Sequence, residues 1–375
     1  MANLNNKTNK IILIVLVSLA ISMVLTPSQT YNSALRGLNL WWEVVTPALL
    51  PFFFLSELLM ELNISRYLTF AMSPLMRPLF ALPGSASLAV ALGFCSGFPS
   101  GAVITAALRR KNEISRSEGE RLICFTNNAS PLYISVAVAG GLLHCPRAAI
   151  LLFIVHYGGN LLIGIMSGLI ARCKTPLPRE KKYPVFSKPA ENQFSSNNFG
   201  RILKAAASRA TANITAIGCL MIFFSVFTGV LYILPIPDIA LFKAYIQGFW
   251  EMSLGINALA DSGLPLQQTI PAAAAILGFG GLSVQMQVLA MIGDTDIRIL
   301  PYLATRLFHA LLSYTGASLL CSTISLPVAT FVPGSEVINY FWASSQIWLT
   351  ALAALICVSC LMLLLRPLCF HRHRK

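Results

Sequence analysis

Apolar residues run in long blocks separated by short polar stretches along almost the whole chain. Blocks near 11–26, 44–62, 122–143, 148–171, 210–234, 302–325 and 346–365 are long enough to cross a bilayer, which takes about 20 apolar residues of helix. Two more, near 85–107 and 267–291, are interrupted. Backbone amides find no water in a bilayer core, so spanning segments of this length must be helical. The pattern predicts an all-α polytopic membrane protein with about seven or eight transmembrane helices and two re-entrant hairpins.

The interruptions carry the interest. In "GFCSGFPSG" (93–101), Gly93, Gly97 and Gly101 recur every fourth residue, a spacing that lets helices approach closely. Pro99 argues against one continuous helix, because a proline inside a helix removes a hydrogen bond and clashes with the preceding turn. Residues 85–107 are therefore expected to enter, turn at 95–100 and return, with Ser96, Gly97, Pro99, Ser100 and Gly101 at the tip. The corresponding tip in the second half, "GFGGLSVQMQ" (278–287), offers Ser283, Gln285 and Gln287. A further break is expected at "FTNNASPLY" (125–133), where Thr126, Asn127, Asn128 and Ser130 precede Pro131. Four hydrogen-bonding side chains in an uncharged run are costly without partners. A serine before proline also suits the start of a new half-helix, whose free N–H groups attract anions. A kinked helix with its Asn pair bonded to neighbouring helices is the alternative. His156, Asn160 and Asn257 are secondary candidates for the same cavity. Glu43 and Glu57 lie at or within spans, where a carboxylate suggests proton coupling or an arginine partner.

Composition agrees: 56% of residues are hydrophobic and 11% charged, against about 25% charged in soluble domains. The net charge of +13 does not indicate nucleic acid, because it concentrates in residues 172–209, a basic connector expected on the cytoplasmic side. On that orientation "RRKNEISRSEGER" (109–121) is cytoplasmic, and the acidic stretch holding Asp238, Glu251, Asp261, Asp294 and Asp296 is placed opposite. The first run lacks a small-residue cleavage site and reads as a retained helix. A shift of 185 positions lays Leu92-Gly93-Phe94 on Leu277-Gly278-Phe279 and Arg121-Leu122 on Arg306-Leu307. Because one extra helix joins the halves, the likeness predicts an inverted repeat, an architecture of transporters with midplane sites. Arg121 and Arg306 are then equivalent residues that can guide anions at the two mouths, with the anchoring of helix ends as the commoner role of such arginines.

No phosphate loop, nucleophile elbow or triad is present, so an enzyme is not expected. The nine cysteines are scattered, Cys357-Val-Ser-Cys360 has no second pair, and neither a metal site nor a cofactor is expected. No carboxylate is expected at the hairpin tips.

The run "LGFCSGFPSGAVITAALRRKNEISRSEGERLICFTNNASPLYI" (92–134) resembles the sporulation integral membrane protein family, whose members carry the gate, or nucleoside-recognition, domain. The likeness implies an N-terminal anchor helix (1–30), a first gate-like repeat (31–145), a connecting helix and basic loop (146–209), a second gate-like repeat (210–330) and a C-terminal helix with a basic tail (331–375). At fold level the domain is similar to concentrative nucleoside transporters. The family implies transport of dipicolinic acid, pyridine-2,6-dicarboxylate, across the outer forespore membrane during endospore formation. Partners on this reading are the bilayer and a small anion, with calcium as a candidate companion and a homo-oligomer left open. The named Ser, Asn, Thr and Gln residues would bind its carboxylates. Nucleosides, another small anion, or a non-transporting assembly role are the alternatives.

Overall fold

The computed structural model describes residues 6–62, 65–131, 133–174, 196–231 and 239–323. The expected span at 346–365, the basic tail and most of the basic connector lie outside the described residues. Every regular element among the described residues is helical. Helices α1 (Asn6–Leu25) and α2 (Pro27–Asn39) meet at a bend of 108°, with Pro27 opening α2 where a missing N–H costs nothing. A π-helical turn (Leu40–Val45) leads into α3 (Thr46–Glu61), and α4 (Ser65–Phe80) follows. Helix α5 (Ser87–Cys95) leaves the end of α4 at 93°.

Next come α6 (Ser100–Arg110), α7 (Arg116–Thr126), a π-helical segment (Tyr133–Leu142) and α8 (Ala148–Lys174). The second half comprises α9 (Ser196–Leu231), α10 (Ala240–Trp250), α11 (Met252–Ala260), α12 (Leu266–Phe279), α13 (Gly281–Ile292) and α14 (Leu300–Thr323). Ala148–Cys173, Phe199–Val230 and Leu266–Ile292 are each long and apolar enough to cross a membrane. Counting each of the bent pairs α1–α2 and α4–α5 as one span gives at most five among the described residues. Helix α14 is 24 residues long but more polar, because its buried face carries Arg306, His309 and Ser313.

One order of elements occurs twice. Two short helices pack on each other, then a broken helix follows, then a long one: α5–α6, α7 with the π segment, α8; and α10–α11, α12–α13, α14. This corrects the expected position of the second hairpin. Residues 267–291 do not fold back; α12 and α13 lack the mutual packing of α5 and α6, and together they form one crossing. Gly280 and Gly281, at φ +85° and +74°, let the chain jog and continue, in a backbone region that L side chains avoid. The hairpin of the second half is 240–260. Its turn is one extended residue, Glu251 (φ −143°, ψ 121°), whose carboxylate accepts from Leu254 N at 2.8 Å and so caps α11. The 185-residue shift therefore lays a hairpin on a crossing helix.

The same correction moves two aspartates. Asp294 and Asp296, expected opposite the basic side, lie beside the 109–116 connector, because 266–292 crosses instead of returning. Arg109 Nε and Nη2 donate to Asp296 at 2.8 and 3.0 Å, and Arg110 donates to Asp294 at 2.8 Å. Arg298 donates to both oxygens of Glu120 at 2.7 and 2.9 Å, with Arg116 adding a bond at 3.0 Å. The Arg298 bonds, reinforced by Arg116, hold the Glu120 carboxyl below the usual range. A carboxyl so lowered contributes stability above the ordinary glutamate range and loses it as pH falls through the lowered value. Glu120→Gln is expected to lower the unfolding midpoint of the detergent-solubilised protein at neutral pH, with the difference from wild type closing as pH falls through the lowered value. An unchanged difference there would mean that charge pairing is not the cause.

Packing fixes the halves on one another. One apolar cluster joins the π segment, α8, α10, α11 and α12, and a second joins α4 to α7 with α8 and α13. The N-terminal elements dock on α9: Ser225 Oγ donates to Ser33 O at 2.7 Å, and Arg209 donates to Glu57 and Glu61, each at 2.7 Å. Glu57 is thus the arginine-paired carboxylate, one of its two expected roles.

Candidate functional site

The glycines of 93–101 exist to clasp the break in the next helix. A Cβ on Gly93 would lie 2.2 Å from Thr126 O, and one on Gly101 would lie 2.3 Å from the same atom. Gly97, at φ +91°, abuts Ser130. The arms of the first hairpin straddle residues 126–130, and no side chain fits between them.

That break is unwound backbone at membrane depth, so each polar group needs a protein partner. Asn127 Oδ1 accepts from Ala102 N at 3.0 Å, at the start of α6, while Asn127 Nδ2 donates to Ile123 O at 2.8 Å. Asn128 Nδ2 donates to Gly93 O at 3.2 Å, and Asn160 donates to Asn128 Oδ1. Ala129 N donates to His156 Nε2 at 3.0 Å, and Tyr157 OH donates to Ala129 O at 2.6 Å.

Arg306 closes this network from the other half. It has no exposed surface, and it donates to Cys124 O (2.6 Å), Asn160 Oδ1 (2.6 Å) and Asn127 O (3.1 Å). The end of α7 offers carbonyls without helical partners and the negative end of a helix dipole, which a guanidinium satisfies. His309 stands next to it: Nδ1 lies 3.3 Å from Arg306 Nη1, and Nε2 lies 2.9 Å from His156 O. Nδ1 also lies 3.1 Å from Gly278 O, so that nitrogen faces a donor and an acceptor together. Gly278 presses on His309 O and Ala310, so α8, α14 and both broken helices meet here.

A cavity of about 330 Å³ lies beside this junction. Its polar lining is Ser130, Tyr133, Glu251, Ser253, Gln287 and Glu43; its apolar walls include Phe98, Met221, Met252 and Val284. Tyr133 Oη and Ser253 Oγ are 2.9 Å apart. Gln287 is 4% exposed, and its amide makes no hydrogen bond to another of the described residues.

Of the residues expected at the site, Gly97, Ser130 and Gln287 line this cavity, and Ser96, Pro99, Ser100, Gly101, Thr126, Asn127, Asn128, Ser283 and Gln285 do not. Ser96 and Thr126 return their hydroxyls to Leu92 O and Leu122 O, and Gln285 Nε2 lies 3.5 Å from Phe279 O. The hydroxyls of Ser100 and Ser283 are buried without a hydrogen-bond partner among the described residues. Arg121 donates to Ala81 O at 2.8 Å. Arg306, wholly enclosed, stands at no mouth in this conformation. Asn257 donates to Asp261 on an exposed surface. Among the described residues no three His, Cys, Asp or Glu side chains are grouped for a metal ion.

Sequence reasoning missed Glu251, Ser253 and Tyr133 as lining residues. A signal was present: Glu251 follows "QGFW" in an apolar stretch, and Gly248 and Gly255 flank it. A Cβ on Gly255 would lie 2.3 Å from Gly248 Cα, so these glycines close the second hairpin as Gly93 and Gly101 close the first.

Broken helices gathered around a mostly apolar cavity with a few polar groups, inside an apolar helical body, are features of a membrane protein. The family model described as Gate: Nucleoside recognition matches residues 42–172. The sporulation integral membrane protein YlbJ of Bacillus subtilis (strain 168) is 35% identical over 78% of this chain and 77% of that relative. The chain belongs to this family of sporulation integral membrane proteins. No solved structure matches it.

Proposed function

We propose that the protein is a transporter that moves dipicolinic acid across the outer forespore membrane during endospore formation. The observation that carries this reading is the cavity at the meeting point of the first hairpin tip, the 127–130 break and the second hairpin tip. Its volume falls in the range of about 300–1,000 Å³ common to small-molecule sites. A flat pyridine ring suits the Phe98, Met221 and Val284 walls, and its carboxylates find hydroxyls at Ser130, Tyr133 and Ser253, the Gln287 amide and the first turn of α11. The fold is read as an inverted repeat whose halves rock about the Arg306 junction. Calcium as a companion ion and assembly as a homo-oligomer belong to the same proposal.

A second reading has one observation in its favour. No carboxylate is expected at the hairpin tips placed from sequence, yet Glu251 occupies the tip of the second hairpin and faces the cavity. A carboxylate accepts from sugar hydroxyls, which favours a nucleoside.

Uptake of labelled dipicolinate and of uridine by proteoliposomes separates these readings. Dipicolinate uptake is expected, and uridine uptake alone would reassign the substrate. A folded protein that moves neither would point to a role in sporulation assembly. Gln287→Leu is expected to reduce dipicolinate uptake roughly tenfold, the worth of about 1.4 kcal/mol of lost binding. Its unfolding midpoint should stay at the wild-type value, since the amide has no partner among the described residues to lose. Wild-type uptake by this variant would remove Gln287 from the site.

A further inference from the structure

The charge balance of the cavity does not match that of its proposed substrate. Glu251 is 5% exposed and sits at the tip of the second hairpin. Its carboxylate accepts from Leu254 N at 2.8 Å, with Ser253 as its other hydrogen-bonding neighbour on the same turn. The groups that face it are Tyr133 from the π segment, with Ser253 on its own hairpin and Gln287 from α13. The other titratable group of the lining is Glu43, on the π-helical turn before α3. Among the described residues, helices α9 and α12 bring no charge to the cavity, and no Lys, Arg or His lines it. An ionised Glu251 beside a dianion, in a low-dielectric enclosure and without a counter-cation, would oppose binding strongly. Protonation removes the repulsion and turns the carboxyl into a donor for a substrate oxygen. The Gln287 amide on the same wall, without a partner among the described residues, marks the place where that oxygen would sit.

We propose that Glu251 is a proton-binding site coupled to transport: one proton loads onto its carboxyl from the side to which the cavity is open, crosses with the substrate, and leaves on the far side. This rests on the transport reading above. No bond other than O–H forms or breaks, and the proton that enters is the proton that leaves. The second hairpin is the natural carrier, because its tip is both the turn that must move to expose the cavity and the residue that titrates.

The test uses the full chain in proteoliposomes loaded with a trapped pH-sensitive dye, with dipicolinate outside. Wild type is expected to acidify the lumen as substrate enters. The uptake rate should fall as external pH rises, by up to about tenfold per unit where Glu251 titrates. Glu251→Gln keeps an acceptor for Leu254 N and a permanently neutral head. It should retain exchange of internal for external dipicolinate, lose lumenal acidification and show a flat pH profile. Glu251→Asp, which keeps a titratable carboxyl, should restore acidification and pH dependence even if its rate is lower. Dipicolinate uptake by wild type without acidification, or acidification that survives in Glu251→Gln, overturns the inference alone. Failure of wild type even to exchange dipicolinate overturns the transport reading and the inference with it.

Discussion

Replacing Arg306 with leucine is expected to abolish transport and leave little monodisperse protein after detergent extraction. Three acceptors, Cys124 O, Asn127 O and Asn160 Oδ1, depend on one guanidinium, and only its Nε lacks a partner. Water does not reach the site to replace it, for Arg306, Asn127 and Asn160 are each fully buried. Removing one side of such a network costs about 3–5 kcal/mol, a large share of the stability of a typical domain. Arg306→Lys should recover part of the folded fraction only, since an ammonium lacks the planar fork that meets acceptors on two helices at once. The measurements are the monodisperse fraction on size exclusion and the thermal midpoint, with Leu307→Ala, an exposed neighbour, as the control. If Arg306→Leu extracts and melts like wild type, the junction does not hold the halves together.

Arg306 holds a helix end, but not the end of its own helix. A basic residue near the start of an apolar run usually anchors a helix end at the interface. Its partners here are main-chain carbonyls of a helix break 180 residues away in the chain, roughly, and break geometry has no local signature in the arginine's own neighbourhood. What was legible depended on residue type alone. The apolar runs at 148–171 and 210–234 became α8 and α9, the Pro99 and Asn-Asn-Ala-Ser-Pro interruptions became breaks, and Glu57 found an arginine. Illegible were the directions taken after a break. Gly280 and Gly281 permit a jog or a reversal equally well, so the second hairpin was placed at 267–291. The true turn at Glu251 contains neither glycine nor proline and is held by a single capping carboxylate. The Asn pair was correctly read as polar groups in need of partners. Those partners are protein atoms, so the cavity lies one layer away, on Ser130, Tyr133 and Gln287.

The repetition in "GFCSGFPSG" leads to the other large effect. Gly93→Ala and Gly101→Ala are each expected to destabilise the protein by about 1–3 kcal/mol or more, the usual cost of forcing a methyl into a closed contact, and to suppress uptake. The obstacle in both cases is Thr126 O, main-chain oxygen at 2.2 and 2.3 Å from the new Cβ, and backbone held by the Arg306 junction cannot rotate aside as a side chain can. Gly158 in α8 supplies the opposite sign. A Cβ there meets nothing within 4 Å, and alanine in a helix interior is favoured over glycine by up to about 1 kcal/mol. Gly158→Ala should therefore melt at or above the wild-type midpoint and transport normally. The divergence of two identical substitutions, read by thermal unfolding and proteoliposome uptake, isolates the close approach from the loss of glycine itself. Equal midpoints for Gly93→Ala and Gly158→Ala would mean that the hairpin arms part readily from the break, and the clasp would then be a resting contact of one conformation and not a fixed part of the fold.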